Sequence, residues 1–245
     1  SLWGISYGSH LSFEYIRNFE QNVERVVLAS LEGPDETIKS PAATDNFLKE
    51  ICRRAADNYG NKKKYPDLEK SIQVVHQKLQ KEPITYTYQD FRTGKEETVG
   101  ISNFELQFAI AGFFIKDPQN SRKLPKAYAE MEEGNFSSVA PMITLLKRYL
   151  SQEIRPMSFA MDMNSGISAE RKARIAKEME QATLGNTVNF LYYEWMDALD
   201  FGQLPDEFRT LPQNKVKALL LSGSLDGRTY PEAARNIAKS FKNGQ

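Results

Sequence analysis

Near the start of the chain, apolar residues first follow a helical spacing and then a strand-like run. Leu11, Tyr15, Ile16 and Phe19 recur every three or four positions, which places them along a helix. The run at residues 23–31 is β-branched and aliphatic, which is typical of a buried parallel strand. Glycine, proline and aspartate at residues 33–35 then favour a turn. The first 40 residues therefore predict a turn, a helix, a strand and a turn.

Residues 41–211 carry a long series of helical spacings with one interruption. The interruption, at residues 86–88 and 97–101 around Arg92-Thr93-Gly94-Lys95, predicts a small β-hairpin or an extended excursion. Ser168 is a suitable N-cap for the last helix of the series. The helices predicted in this part are 47–59, 66–80, 103–115, 125–133, 138–152 and 168–182.

A strand pattern followed by a helix pattern occurs again at the end of the chain. Residues 216–222 form a continuous apolar run, residues 223–227 favour a turn, and residues 231–241 have a helical spacing. The predicted fold class is therefore α/β. Two α/β segments, 1–40 and 212–245, bracket a mostly helical insert at 41–211.

Charge and composition exclude several kinds of partner and cofactor. Lys plus Arg and Asp plus Glu both count 32, so no net charge draws the chain to nucleic acid or to an anionic membrane. No apolar stretch reaches the roughly 18 residues of a membrane span. Cys52 is the only cysteine and lies on an apolar helix face, so we expect a buried thiol. His, Cys and carboxylate spacings predict no metal or organic cofactor, and the compartment stays open between cytoplasm and periplasm or secretion.

One short motif indicates nucleophilic catalysis. Gly4-Ile5-Ser6-Tyr7-Gly8 fits Gly-x-Ser-x-Gly, the strained strand-to-helix turn that exposes a catalytic serine in α/β-hydrolases. In this interpretation Ser6 is the nucleophile, and the backbone N–H of Tyr7 is one donor to the oxyanion hole. The alternative is a glycine-rich loop in which the serine has no chemical role.

Asp226 is the candidate acid of a catalytic triad. It follows an apolar strand inside a glycine-flanked turn, and the chain order of serine then aspartate matches that of hydrolases. The alternative is an aspartate that only favours the turn. His10 and His76 both precede Asp226, and His10 lies one helical turn beyond Ser6, so neither suits the general base. We therefore expect the triad to be incomplete in this chain and the chain alone to lack triad-level activity.

Several segments together resemble a known enzyme group. The stretches LWGISYGSHLSFEYIRNF, VERVVLASLEGPD and KALLLSGSLDGRTYPEAA are similar to α/β-hydrolases of the proline iminopeptidase and tripeptidyl aminopeptidase-like (TAP-like) group, and residues 161–175 are similar to part of that group's cap. The resemblance implies a helical cap inserted between strands six and seven of the sheet. It also implies five strands upstream of the elbow and a catalytic histidine downstream of the acid turn. On this basis we expect an internal fragment of such an enzyme, a partial hydrolase core with a whole cap.

The resemblance implies a serine peptidase that releases N-terminal residues from peptides through an acyl-enzyme. Ser6 would be the nucleophile, Tyr7 an oxyanion donor, and Asp226 the acid. The group binds the substrate N-terminus with acidic cap residues, for which Glu194, Asp197 and Asp200 are candidates; the alternative is a polar helix face. An esterase on the same scaffold and a non-catalytic interaction module stay open. We also expect self-association through an apolar sheet edge beside residues 23–31.

Overall fold

The computed structural model describes residues 1–152, 156–199 and 202–244 of the chain. Within these residues the protein is mixed α/β with a four-stranded parallel sheet, which confirms the predicted α/β class. Residues of the chain contact one another mainly within two compact units. The first unit comprises Ser1–Ser40, Arg155–Lys177 and Leu191–Gln245, and the second comprises Pro41–Ile154 and Glu178–Phe190. The boundaries of the insert at residues 41 and 211 stay a prediction.

The described elements alternate between strands and helices at both ends of the chain. Short helical turns occur at Glu20–Asn22, Thr187–Asn189 and Asp206–Arg209, and a π-helix at Ile110–Ile115. The main elements, in chain order, are β1 (Leu2–Ser6), α1 (Tyr7–Phe19), β2 (Arg25–Leu31), α2 (Pro41–Asp57), α3 (Tyr59–Lys64), α4 (Leu68–Lys81), β3 (Ile84–Gln89), β4 (Glu96–Ile101), α5 (Asn103–Ala109), α6 (Pro118–Ser121), α7 (Leu124–Glu132), α8 (Ala140–Gln152), α9 (Pro156–Ser165), α10 (Ala169–Gln181), α11 (Tyr192–Ala198), β5 (Asn214–Leu221), α12 (Pro231–Ala238) and β6 (Phe241–Gly244).

The sheet of the first unit has the strand order β1-β2-β5-β6, and every neighbouring pair is parallel. The strands predicted at 23–31 and 216–222 therefore pair directly, with Val26 beside Ala218 and Leu28 beside Leu220. Side chains alternate between the two faces of a strand, so Val26 and Leu28 share one face. That face packs on helices α1 and α12 in a core that includes Phe13, Ile16, Val216, Ile237 and Phe241.

Strand β2 is paired on both sides, which corrects the expected position of the open edge. Residues 2–6 form a full strand, and Ile5 of β1 pairs with Ala29 of β2. The edge strands of the sheet in the described residues are therefore β1 and β6, not the strand at 23–31. Only three residues precede the Gly-x-Ser-x-Gly motif, which is too short an apolar run to predict that β1 would pair with β2.

The first unit also contains a second apolar cluster, built by segments far apart in the sequence. Ile38 packs with Phe159, Met163 and Ile175 from helices α9 and α10. Asp35 accepts hydrogen bonds from the backbone N–H and the hydroxyl of Ser168, at 2.8 and 2.6 Å. Ser168 in turn accepts from the N–H of Arg171 at 3.2 Å, which confirms its predicted N-cap position.

The second unit is helical apart from one antiparallel hairpin. Strands β3 and β4 pair through the register Thr87–Thr98, which confirms the predicted hairpin. Helix α5 begins with a capping box between Ser102 and Glu105, and the predicted helix at 103–115 continues as the π-helix. The ring of His76 bridges Asn103 Oδ1 at 2.7 Å and the hydroxyl of Tyr128 at 2.9 Å. None of the helices in the described residues is long and apolar enough to cross a membrane.

Candidate functional site

Ser6 lies at a strained junction between a strand and a helix. It is the last residue of β1 and the N-cap of α1, with φ of 53° and ψ of −122°. A non-glycine residue with this backbone conformation costs on the order of 1–3 kcal/mol and persists only where its surroundings hold it. This backbone conformation is the strained turn expected from the motif, and the side chain of Ser6 is half-buried; its role as a nucleophile stays a prediction.

Small residues around Ser6 hold the turn in place. A Cβ on Gly4 would lie 2.6 Å from the carbonyl oxygen of Gly8 and 2.9 Å from Ser12 Oγ, so the start of α1 can approach β1 only at a glycine. The hydroxyl of Ser9 lies 2.5 Å from the carbonyl oxygen of Ser6 and accepts from the N–H of Glu32 at 3.0 Å. The hydroxyl of Ser9 therefore links the turn by hydrogen bonds to the ends of both β1 and β2.

Tyr7 is fixed by its side chain and presents its backbone at the start of α1. Its hydroxyl lies 3.0 Å from Ser165 Oγ. Because Ser165 donates its own proton to the carbonyl oxygen of Met161 at 2.8 Å, Tyr7 donates in this pair. The first N–H groups of a helix have no intrahelical acceptor, so the N–H of Tyr7 is of the kind that can stabilise an oxyanion.

Asp226 lies in the turn after β5 with its carboxylate fixed. Oδ1 accepts from the N–H groups of Arg228 and Thr229 at 2.9 and 2.8 Å, and Oδ2 accepts from the hydroxyl of Thr229 at 2.7 Å. These contacts fit the turn-forming role and also set the orientation of the carboxylate. Ser6 and Asp226 both follow the carboxyl ends of strands that flank β2. Two strand spacings amount to about 10 Å, which leaves room for one bridging side chain.

Charged groups gather near the same edge of the sheet. The carboxylate of Glu32 forms a buried ion pair with Lys39, which also donates to the carbonyl oxygen of Glu36 at 2.8 Å. Burial raises the pKa of Asp162 on α9 to about 6, and the negative charge of Glu32 raises it further, against the opposing effects of Arg228 and Lys39. No hydrogen bond contributes to this shift. Asp162 is thus a half-buried carboxylate next to other charges, and the sequence analysis did not single it out.

Neither histidine acts as a partner of Ser6. His10 is buried with its ring stacked on Tyr7 at 4.8 Å, and neither of its nitrogens has a hydrogen-bond partner. Burial lowers the pKa of His10 to about 4. Both nitrogens of His76 are engaged by Asn103 and Tyr128. The described residues therefore provide no histidine as a general base for the serine.

The acidic residues predicted to bind the substrate lie on or after α11. Glu194 is exposed on that helix, and Asp197 belongs to the same helix. Asp200 lies outside the described residues. Helix α11 contacts α9 through aromatic rings, with Trp195 5.2 Å from Phe159 in an edge-on arrangement.

The remaining chemistry of the described residues is limited. Burial raises the pKa of the Cys52 thiol to about 11, so this cysteine is protonated and unreactive at neutral pH. Among the residues that the structure describes, no group of three or more His, Cys, Asp or Glu side chains could hold a metal ion. Comparison with protein-family models, curated proteins and solved structures gives no match. The assignment of a function therefore depends on the geometry of this site.

Proposed function

We propose that this chain carries the nucleophile and acid of a serine hydrolase of the α/β-hydrolase type, acting as an aminopeptidase on the N-terminal residues of peptides. The observation that carries the proposal is the positive φ of Ser6 at the β1–α1 junction within Gly-x-Ser-x-Gly. The parallel order β1-β2-β5-β6 supports it, because it puts the turns that follow β1 and β5 at one edge of a single sheet. The insert at 41–211 would then be the cap.

In this mechanism the Ser6 hydroxyl attacks the carbonyl carbon of the scissile bond while its proton passes to an imidazole. The N–H of Tyr7 stabilises the negative oxygen of the tetrahedral intermediate. The imidazolium then protonates the leaving amine, and water hydrolyses the acyl-serine. Asp226, held by three hydrogen bonds, would orient the imidazole. The proposal requires a histidine other than His10 and His76, since neither is placed to take the proton.

Asp162 is the described carboxylate best suited to hold the substrate's amino group. With a pKa of about 6 it is ionised at neutral pH. Because it is half-buried, its electrostatic attraction for an ammonium ion is stronger than it would be in water. It lies on the same helix as Ser165, which bonds to the side chain of Tyr7. Glu194, by contrast, is exposed to solvent.

Chemical rescue with free imidazole tests the proposal. The chain should hydrolyse a p-nitrophenyl aminoacyl ester only slowly. Added imidazole should raise the rate at least about tenfold above the rate with imidazole and no protein. This increase is smaller than the 10²–10⁴-fold rate acceleration that a positioned general base provides. Ser6→Ala should lose the rescued rate and Asp226→Asn most of it. Ser224→Ala, an exposed serine in the same turn as Asp226, is the matched control and should keep it.

The same assay separates an aminopeptidase from an esterase. The aminopeptidase should prefer the free aminoacyl ester to its N-acetylated form, and Asp162→Asn should remove that preference. Equal rates for both esters would favour an esterase. Equal rescue in wild type and Ser6→Ala would contradict a hydrolase and favour a non-catalytic interaction module.

A further inference from the structure

The loop after helix α7 carries an acceptor sequence for N-linked glycans. Asn135-Phe136-Ser137 fits Asn-x-Ser/Thr with a residue other than proline in the middle, and no other asparagine of the sequence has serine or threonine two positions later. Because so short a motif also arises by chance, its structural setting decides whether a transferase could use it. All the residues that form this setting lie in the second unit.

The end of α7 places Asn135 at the surface. Gly134 has a positive φ of 89°, and its N–H donates to the carbonyl oxygen of Met131 at 3.0 Å. The N–H of Asn135 donates to the carbonyl oxygen of Glu130 at 2.8 Å. These two bonds form a Schellman motif, which favours glycine because its central residue adopts the left-handed conformation. The helix therefore stops at a defined residue, and Asn135 lies directly beyond it and is exposed.

The two positions of the motif that a transferase must reach are exposed, whereas the residue between them is buried. Phe136 is 6% exposed, and its ring centroid lies 5.8 Å from that of Tyr86 in strand β3. Asn135 and Ser137 on either side of it are both exposed. Phe136 thus anchors the loop on the hairpin, while the amide and the hydroxyl of its neighbours lie at the surface.

Hydrogen bonds fix the amide of Asn135 and leave its nitrogen free. Oδ1 lies 3.0 Å from the backbone nitrogen of Ser137 and 3.0 Å from the hydroxyl of Tyr86. Because a backbone N–H can only donate, the side-chain atom that it reaches must be the amide oxygen. Nδ2 is therefore the other terminal atom, and it donates no hydrogen bond to any residue that the structure describes. The bond from Ser137 closes an Asx turn, which holds the third residue of the motif beside the acceptor amide.

We propose that Asn135 is the acceptor of an N-linked oligosaccharide when the chain is translocated into the lumen of a eukaryotic secretory pathway. Nδ2 forms a bond to the anomeric carbon of the first sugar of a lipid-linked oligosaccharide. The bond between that carbon and the lipid diphosphate breaks, the lipid diphosphate leaves, and a proton passes from Nδ2 to a base of the transferase. The acceptor site uses no residue of the first unit, so this inference does not depend on the proposed hydrolase function.

Expression of the full chain behind a cleavable secretion signal in yeast or insect cells tests the proposal. Wild-type chain recovered from the lumen or the medium should carry a glycan that peptide N-glycosidase releases, seen as a discrete loss of mass. Asn135→Gln and Ser137→Ala should each lack this glycan, and Ser137→Thr should keep it. Ser138→Ala is the matched control. It removes the neighbouring hydroxyl, which is buried and has no hydrogen-bond partner, and it should leave the glycan in place.

Release of the glycan from the folded chain tests the exposed position of Asn135. Peptide N-glycosidase should remove the glycan without denaturant, and circular dichroism should be the same before and after release. Three results would overturn the proposal. The first is a wild-type chain from the lumen or the medium that carries no glycan. The second is a glycan that persists in Asn135→Gln, which would place it on another residue. The third is a glycan released only after denaturation, which would show that Asn135 is covered in the folded chain.

Discussion

At the scale of single residues, the two histidines show what burial costs with and without a hydrogen-bond partner. His10 and His76 are both buried, and burial lowers the pKa of each. His76 has an acceptor on one nitrogen and a hydroxyl on the other, whereas both nitrogens of His10 are unpaired. A buried polar group without a partner costs on the order of 1–3 kcal/mol, so His10 is a source of instability beside the elbow.

Replacing each histidine by phenylalanine should have opposite effects on stability. His10→Phe should raise the free energy of unfolding by about 1 kcal/mol, because the ring keeps its place on Tyr7 and no polar atom is left unpaired. His76→Phe should lower it by about 2 kcal/mol, because Asn103 and Tyr128 lose their partner. Urea unfolding at neutral pH measures both. Destabilisation of the same size in both variants would contradict the contrast.

Asp162 and His10 should give the stability of the chain opposite dependences on pH. His10 has its pKa lowered from 6.5 to about 4, so its contribution is present above pH 6.5 and is lost as the pH falls through about 4. Asp162 has its pKa raised from 3.8 to about 6, so its contribution is present below pH 3.8 and is lost as the pH rises through about 6. Between pH 4 and 6 the free energy of unfolding therefore rises with pH because of His10 and falls with pH because of Asp162, and the two changes offset each other in the wild type.

Removing the charge of Asp162 should leave only the pH dependence of the free energy of unfolding that His10 causes. Asp162→Asn should be about 1–2 kcal/mol more stable than the wild type at pH 7, a value reduced for partial exposure from the 1.36 kcal/mol of each pKa unit. The gain should vanish near pH 4. Unfolding in urea across this range measures it, with Glu194→Gln, exposed on α11, as the control that should change little. A gain at pH 7 that is unchanged at pH 4 would argue against a raised pKa.

At the scale of elements, the two glycines of the elbow motif have different structural roles. A side chain at Gly4 would clash with the backbone of α1, whereas a Cβ at Gly8 meets nothing within 4 Å. Gly4 therefore sets the distance between β1 and α1. Gly8 lies inside the helix, where glycine costs stability relative to alanine.

The matched substitutions Gly4→Ala and Gly8→Ala test this difference. Gly4→Ala should destabilise the chain by about 1–3 kcal/mol, because α1 must move off the sheet. Gly8→Ala should be neutral or stabilise it by up to about 1 kcal/mol through helix propensity. Thermal unfolding compares the two variants directly. A stabilising Gly4→Ala would show that β1 and α1 are not in close contact.

Local patterns were enough to predict most of these elements. The strand β2, the hairpin of β3 and β4 and the N-cap Ser168 follow from periodicity, turn residues and capping, which act over a few positions. The short strand β6 was not predicted, and its first residue Phe241 was assigned to the end of a helix because it continues the apolar spacing of α12. A strand of four residues is specified by its neighbour β5 rather than by its own pattern.

At the scale of the whole molecule, the part of the site that a motif encodes was predictable and the part that packing creates was not. Ser6 and Asp226 are marked by glycine-rich turns after apolar runs. Asp162 has its pKa raised by burial and by Glu32, which is 130 residues away in the sequence. No spacing along the chain indicates such a meeting. For the same reason the sequence did not predict that Asp35 and Ser168 would join segments far apart.

The order of strands in the sheet also has a consequence for biosynthesis. Strand β2 pairs with β5, and residues 32–213 separate them in the chain. A ribosome that adds about 5–20 residues per second makes β5 on the order of ten to forty seconds after β2. During that interval one side of β2 has no partner, although β1 and α1 are already made. The nascent chain therefore exposes Val26 and Leu28 beside an unpaired edge for longer than most small domains take to fold, which makes this segment a natural binding site for chaperones.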